Sequence, residues 1–381
     1  MATEGSASST AAVTTTGAAV ATTSTAAATT TETTPATSAS PTADAGATTS
    51  AAPGPNGTLT IMSHDNFVLS KDVVTKFEQA NGVALQFLKA GDAGAALNKA
   101  ILAKNNPLAD VFFGVDNTFF SRAIDADIFA PYTPAALQAV PSDFKLDPQN
   151  RLIPVDYGFV NLNYDVAAFG AGKLPLPQTL RDLVKPEYKG KLVAESPATS
   201  STGLAFMLAT IATFGETGSY TWVDYWKDLH KNDVQIVDGW DTAYNKNFSG
   251  SAGKGVQPIV VSYGTSPAYE LDASAGKLKE PPTGNMVPPN GAFRQIEFVG
   301  VLKGSKHVDL ARKWVDYMLS ADVQNDVMPQ MVVYPVVPSA TLPDVYKQYA
   351  PVPQQPAVIA PDVIAKNRDR WIQQWTDAVG Q

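Results

Sequence analysis

The sequence contains no cysteine. That absence removes disulfide frameworks, thiolate-held zinc or iron–sulfur centres and every cysteine nucleophile. Histidine is almost as scarce. His64, His230 and His307 are the only three, too few for a His-rich metal centre and in none of the common ligand spacings. No metal and no cofactor is expected. Bases are outnumbered, 28 Lys and Arg against 36 Asp and Glu, for a formal net charge of −8. No basic block could follow a phosphate backbone, so no nucleic-acid partner is expected. No apolar run reaches the roughly 18 residues that a membrane-spanning helix needs. Phosphate-loop, nucleophile-elbow and zinc-protease motifs are missing too. Ser251-Ala-Gly-Lys254 matches SxxK, but in a Gly-rich loop its Ser and Lys would not share a helix face. These absences favour a binding protein over an enzyme.

What is present divides sharply. Residues 1–50 hold 15 Ala and 17 Thr, with three acids and no base. Such a tract cannot bury enough apolar surface to offset its ordering entropy, and Pro35, Pro41, Pro53 and Pro55 break any helix. Residues 1–56 therefore read as a disordered tail or surface tether. The tract has neither the basic nor the apolar region of a signal peptide.

From about Thr58 the pattern becomes that of a mixed α/β fold. Residues 59–63 read as a strand, 70–82 as a helix stopped by Gly82, 83–91 as a strand, 95–104 as a helix and 109–117 as a strand. This β-α-β-α-β order marks a parallel sheet with helices on its faces. A second cycle follows. Residues 151–165 are extended, 179–188 a short helix, 191–196 a strand, 200–215 an apolar helix and 221–232 another helix. Strands at 234–240 and 257–264, an extended run at 295–304 and helices at 307–327 and 361–379 complete it. Two cycles joined by long extended runs imply two α/β lobes. In open α/β sheets, ligands sit beyond the carboxyl ends of the strands. Those ends carry carboxylates, hydroxyls and aromatics with few positive charges.

The strand-end segments also resemble one family. They are Ser63-His-Asp-Asn-Phe67, Ala109-Asp-Val-Phe-Phe-Gly-Val-Asp-Asn117, Pro154-Val-Asp-Tyr-Gly158, Asp238-Gly-Trp240 through Ala243-Tyr244, and above all Val261-Ser-Tyr-Gly-Thr-Ser-Pro-Ala-Tyr269. In this order, from about 58 to 379, the chain resembles the thiamine-binding solute-binding proteins of bacterial ABC importers, within the type II periplasmic binding protein class. The resemblance implies an α/β type II periplasmic-binding-protein fold, two lobes joined by hinge crossings with the ligand in the cleft between them. Lobe 1 would comprise 57–157 and 296–335 and lobe 2 would comprise 158–295, with 336–381 packing across both. It implies a ligand site of His64, Asp65, Asp92, Ser200, Ser201, Trp240, Tyr263 and Tyr269. His64 stands where the family often has Tyr, and Val332 where it has a Trp that helps to sandwich the ring.

In that reading, the permanently cationic thiazolium of thiamine meets aromatic faces, Asp92 accepts from the aminopyrimidine N–H, and the Ser200–Gly203 run receives the phosphate of thiamine phosphate. The implied partners are the membrane permease and ATPase subunits of an importer, and the protein is expected to be a monomer. Its expected place is extracytoplasmic, periplasm or cell surface, with a removed leader and lipid anchoring through a removed N-terminal Cys. The alternatives are the same fold binding another small organic cation or heterocycle, an anion, a polyamine or ferric ion, and a thiaminase-like enzyme. The last needs a Cys nucleophile, and ferric binders usually present an adjacent Tyr pair. Neither is present.

Overall fold

The structure is a computed structural model and describes residues 56–170, 172–251, 255–350 and 352–380. The expected tail, apart from Asn56, lies outside the described residues. The first cycle comprises β1 (Thr58–Ser63), α1 (Lys71–Asn81), β2 (Ala84–Lys89), α2 (Ala93–Leu102) and β3 (Val111–Asp116). The Ser70 side chain accepts from the Val73 N–H at the start of α1. Gly82, at φ 60°, ends it in the left-handed region. Every residue of β3 is buried, as expected of a strand covered on both faces. Then come α3 (Phe120–Asp125), β4 (Phe129–Ala130) and the long β5 (Ile153–Asp165).

The second cycle comprises β6 (Leu192–Glu195), α4 (Ser201–Phe214), α5 (Trp222–Lys231), β7 (Gln235–Val237), β8 (Ile259–Tyr263), α6 (Ser266–Ala273) and β9 (Thr283–Met286). The chain returns through β10 (Phe293–Leu302), α7 (Val308–Met318), α8 (Ala321–Met331), β11 (Tyr334–Pro335), α9 (Asp344–Tyr349) and α10 (Pro361–Val379). α4 is buried from Ser201 to Ile211, which accounts for its apolar composition on every face.

One sheet runs in the order β2-β1-β3-β10-β5-β8-β6-β7, with β4, β9 and β11 pairing off this path. Within each cycle the pairs β1–β2, β1–β3, β6–β7 and β6–β8 are parallel. β5 and β10 run antiparallel between them. Ile153 to Val160 of β5 pair with β10, and Val160 to Tyr164 pair with β8. Both long extended runs read from the sequence are therefore the strands that join the two cycles.

Three local expectations differ from the structure. Residues 307–327 form two helices, because Ser320 caps α8 with its side chain and separates it from α7. Residues 179–188 form two 3₁₀ turns, Leu180–Val184 and Pro186–Tyr188. Pro186 forces Lys185 into extended backbone, φ −73° and ψ 150°, and so denies the segment an α-helix. The strand expected over 234–240 spans only Gln235–Val237. Its remaining residues turn into the site described below.

α10 packs against both α3 and α5. Trp371 and Trp375 are buried, and Trp375 meets Trp226 of α5 edge-on at 5.6 Å. Truncating such a buried Trp to Ala typically costs about 3–5 kcal/mol.

Candidate functional site

The carboxyl ends of the strands face a cleft of about 500 Å³. Its walls include Asp65, Gly91 and Asp92 from the first cycle, and Thr199, Asp238, Gly239, Trp240 and Lys246 from the second. Asp92 caps α2, its Oδ1 accepting from the Ala93 N–H at 2.7 Å. Its Oδ2 reaches across the cleft and accepts from the Trp240 N–H at 3.0 Å. A Cβ on Gly239 would lie 2.8 Å from that oxygen, so glycine makes the approach possible. Beside it, the Gly94 N–H donates to the Thr199 carbonyl at 3.1 Å. Any Cβ at Gly94 would clash with Phe119 and that carbonyl. Burial pushes the Asp92 carboxyl up, against the N–H bonds from Trp240 and Ala93 and the nearby His64.

Trp240 is held on two sides. Its indole stacks on Tyr244 at 4.9 Å and 11°, and its Nε1–H donates to Ser262 Oγ at 2.9 Å. The backbone just beyond, Thr242–Asn247, forms a short π-helical stretch, a form that recurs at functional sites. Lys246, on the same stretch, lines the cleft and pairs with Asp241 at 2.9 Å. Asp65 is exposed at the cleft wall, where its Oδ1 accepts from the Gly91 N–H at 2.8 Å.

The other expected residues sit around this centre. His64 is buried behind the cleft wall. Its Nδ1 accepts from the Asn66 N–H at 3.2 Å and its Nε2 lies 3.3 Å from Glu297 Oε1. Burial alone would lower the imidazole, but the Glu297 charge and hydrogen bond outweigh it and the net shift is upward. Tyr263 donates its O–H to Gln295 Oε1 at 2.8 Å, and its ring covers Gly158. Burial first, then the charges of Glu297, Asp92 and Asp116, hold its hydroxyl well above the usual range. Ser200 is buried with its Oγ 2.9 Å from Thr202 Oγ1. Ser201, the first residue of α4, donates its hydroxyl to Asp116 at the end of β3, a contact between the two cycles. Tyr269 on α6 is 38 % exposed and is not part of the cleft wall. Val332 adopts a left-handed φ of 62°, unusual for a β-branched residue, and its carbonyl accepts from Thr265.

Sequence reasoning overlooked the acids behind the cleft. Burial pushes Asp116 up to about 6, against hydrogen bonds from Ser201 and Thr118. Asp156 on β5 lies directly opposite Glu297 on β10. Burial first, then the Glu297 charge, holds its carboxyl well above the usual range. Glu195 ends β6 fully buried, raised by burial and then by the charge of Asp92. Each, like Glu297, directly follows an apolar residue in its strand, in Phe113-Gly-Val-Asp116, Pro154-Val-Asp156, Leu192-Val-Ala-Glu195 and Gln295-Ile-Glu-Phe298. That pattern was a usable signal. Also overlooked was an amide ladder. Asn161 and Asn163 both donate to Asn285 Oδ1, and Asn285 donates to the Gly264 carbonyl, fixing the turn after Tyr263.

The site thus presents carboxylates and an indole to a cleft between two sheet halves, with few cations beside them. Such a surface is matched to a cationic ligand with aromatic character. Among the described residues no group of three or more acids and histidines is arranged to hold a metal ion.

The model of the bacterial extracellular solute-binding protein family matches residues 106–367. The thiamine-binding periplasmic protein of Brucella suis biovar 1 (strain 1330) is 30 % identical over 332 residues, covering 85 % of this chain and 92 % of the relative. That of Escherichia coli (strain K12) is 29 % identical over 331 residues, covering 85 % and 94 %. Among solved structures, a periplasmic thiamin binding protein superposes with a TM-score of 0.74 at 28 % identity, covering 86 % of this chain and 97 % of its own. A periplasmic binding protein of Actinobacillus pleuropneumoniae with fructose 6-phosphate superposes at 0.70 and 22 % identity, covering 84 % and 98 %, a likeness of fold alone.

Proposed function

This chain belongs to the bacterial extracellular solute-binding protein family, and from that premise we propose that it is the ligand-capturing component of an ABC importer and binds thiamine. The observation that carries the reading is the junction of Asp92 with Trp240 across an acid-lined cleft. It acts outside the cytoplasm and delivers ligand to a membrane permease driven by an ATPase subunit. It works as a monomeric binder, not as an enzyme.

The roles follow from chemistry. Asp92 has a second lone pair on each oxygen, and a ligand N–H donates there. Trp240 and Tyr263 offer π faces to the thiazolium, each worth about 0.5–2 kcal/mol, while Tyr269, outside the cleft wall, would reach the ligand only through movement of α6. Asp65 adds negative charge at the wall, and the buried His64–Glu297 pair fixes the loop that carries Asp65. Ser200 and Ser201 open α4, whose N-terminal N–H groups favour a phosphate ester by about 0.3–2 kcal/mol. Capture is a closure of two lobes, 57–157 with 296–335 against 158–295, about β5 and β10, while 336–381 spans both. Asp92, Gly94 and Ser201 supply the hydrogen bonds that join the lobes when closed.

Calorimetric titration with thiamine and thiamine monophosphate tests this. The protein should bind both, the ester tighter by about tenfold or less. Asp92→Asn loses one acceptor and the charge, and should weaken thiamine about ten- to a hundredfold. Absence of binding by the parent, or undiminished affinity in Asp92→Asn, would refute the assignment.

A further inference from the structure

Beside Thr199, and sharing no lining residue with the cleft, lies a second pocket of about 240 Å³ lined by Arg122, Ala198, Arg368, Asp369, Ile372 and Gln373. Three parts of the chain meet there: α3, the 196–200 loop and α10. Arg368 is 4 % exposed, and its guanidinium lies 4.5 Å over the ring of Phe119. It donates from Nη1 to Asp369 at 2.8 Å, but its Nε–H is buried without a partner. Asp369 is itself 95 % exposed, so water weakens its hold on that charge. Arg122 is half-buried and pairs with no carboxylate among the described residues. Two guanidiniums thus line one small pocket with a single solvated acid, Asp369, bonded among the described residues to Arg368 alone.

A buried donor left unmade and two like charges brought together are both costs of folding. Asp116, an interior acid whose charge acts on Arg368, contacts Ser201 and Thr118 instead of either arginine. The guanidinium fork fits planar or tetrahedral oxyanions through paired N–H bonds. Ala198 adds little bulk to the lining, and Gln373 beside it donates its amide to Asp377 at 2.9 Å.

We propose that this three-way junction is a binding site for a small oxyanion of the phosphate or sulfate type, separate from the thiamine cleft. The ion bridges Arg122 on α3 and Arg368 on α10 beside the 196–200 loop. The site is lined by none of the cleft residues, so it fills with or without thiamine present.

Inorganic phosphate is the probe, titrated by calorimetry at constant ionic strength against a chloride control. One ion per chain should bind, with and without saturating thiamine. Arg122→Gln should weaken it about tenfold or more while leaving thiamine affinity unchanged, and Arg122→Lys, which keeps charge but loses the fork, should lose less. Circular dichroism of Arg122→Gln should match the parent, since the side chain is half-exposed. No heat beyond the chloride control would overturn the proposal, as would equal phosphate affinity in Arg122→Gln. Loss of phosphate binding on saturation with thiamine monophosphate would place the ion in the cleft and overturn it too, without touching the thiamine assignment.

Discussion

Two sets of carboxylates in this molecule behave in opposite ways. At the surface, Asp182 accepts from the N–H groups of Gln178 and Thr179 and pairs with Lys185 at 2.6 Å. The Lys185 contact, then the Thr179 bonds, pull its carboxyl down to about 2. Asp224 completes the capping box that begins α5 and is likewise lowered by Thr221. Around the cleft, Asp92, Asp116, Asp156 and Glu195 all shift upward, in each case chiefly through burial. The surface acids support local structure. The interior acids lose more through burial than Asp92 and Asp116 regain through their hydrogen bonds. Groups that cost stability where they stand are candidates for work on a ligand.

The sharpest way to probe that contrast is to remove an interior charge. Asp116 has its pKa raised from 3.8 to about 6. Its contribution to stability is fully present below pH 3.8 and is lost as pH rises through about 6. At neutral pH the ionised group therefore costs up to about 3 kcal/mol, at about 1.4 kcal/mol per unit. Asp116→Asn should melt higher than the ligand-free parent at pH 7, and the gap should close towards pH 4. Thermal unfolding across that range checks it. A variant less stable at every pH would make Asp116 a structural acid like Asp182. A smaller effect of opposite sign is expected at the surface. Thr221→Ala removes the reciprocal cap of α5 and should lower stability by about 1 kcal/mol at neutral pH, with thiamine affinity unchanged. A change in affinity there would blur the division.

Much of the fold was legible because it is local. The first cycle follows from apolar periodicity, the Ser70 cap and the Gly82 stop. The break at Ser320 was hidden because the apolar spacing of α7 runs on into α8. Asp92 and Trp240 were legible as strand-end residues. Each interior acid is visible by itself, but their clustering is not, because they meet only through the sheet. Asp156 and Glu297 face each other from antiparallel strands far apart in the chain, and Ser201 reaches Asp116 across the two cycles. Likewise, the depth of His64 depends on Gly114. That residue, at φ +97°, leaves no room between backbone and imidazole for any Cβ.

Asp92 lines the cleft and the other interior acids stand behind it, where a cation bound in the cleft acts on them through its charge. A bound cation favours their ionised forms and lowers their pKa values, so binding must release protons. Calorimetric titration of thiamine at pH 6, repeated in buffers of different ionisation enthalpy, measures that release directly. Protons should be liberated at pH 6, fewer at pH 8, and fewer at pH 6 in Asp116→Asn than in the parent. Thiamine binding with no dependence on buffer at pH 6 would contradict it.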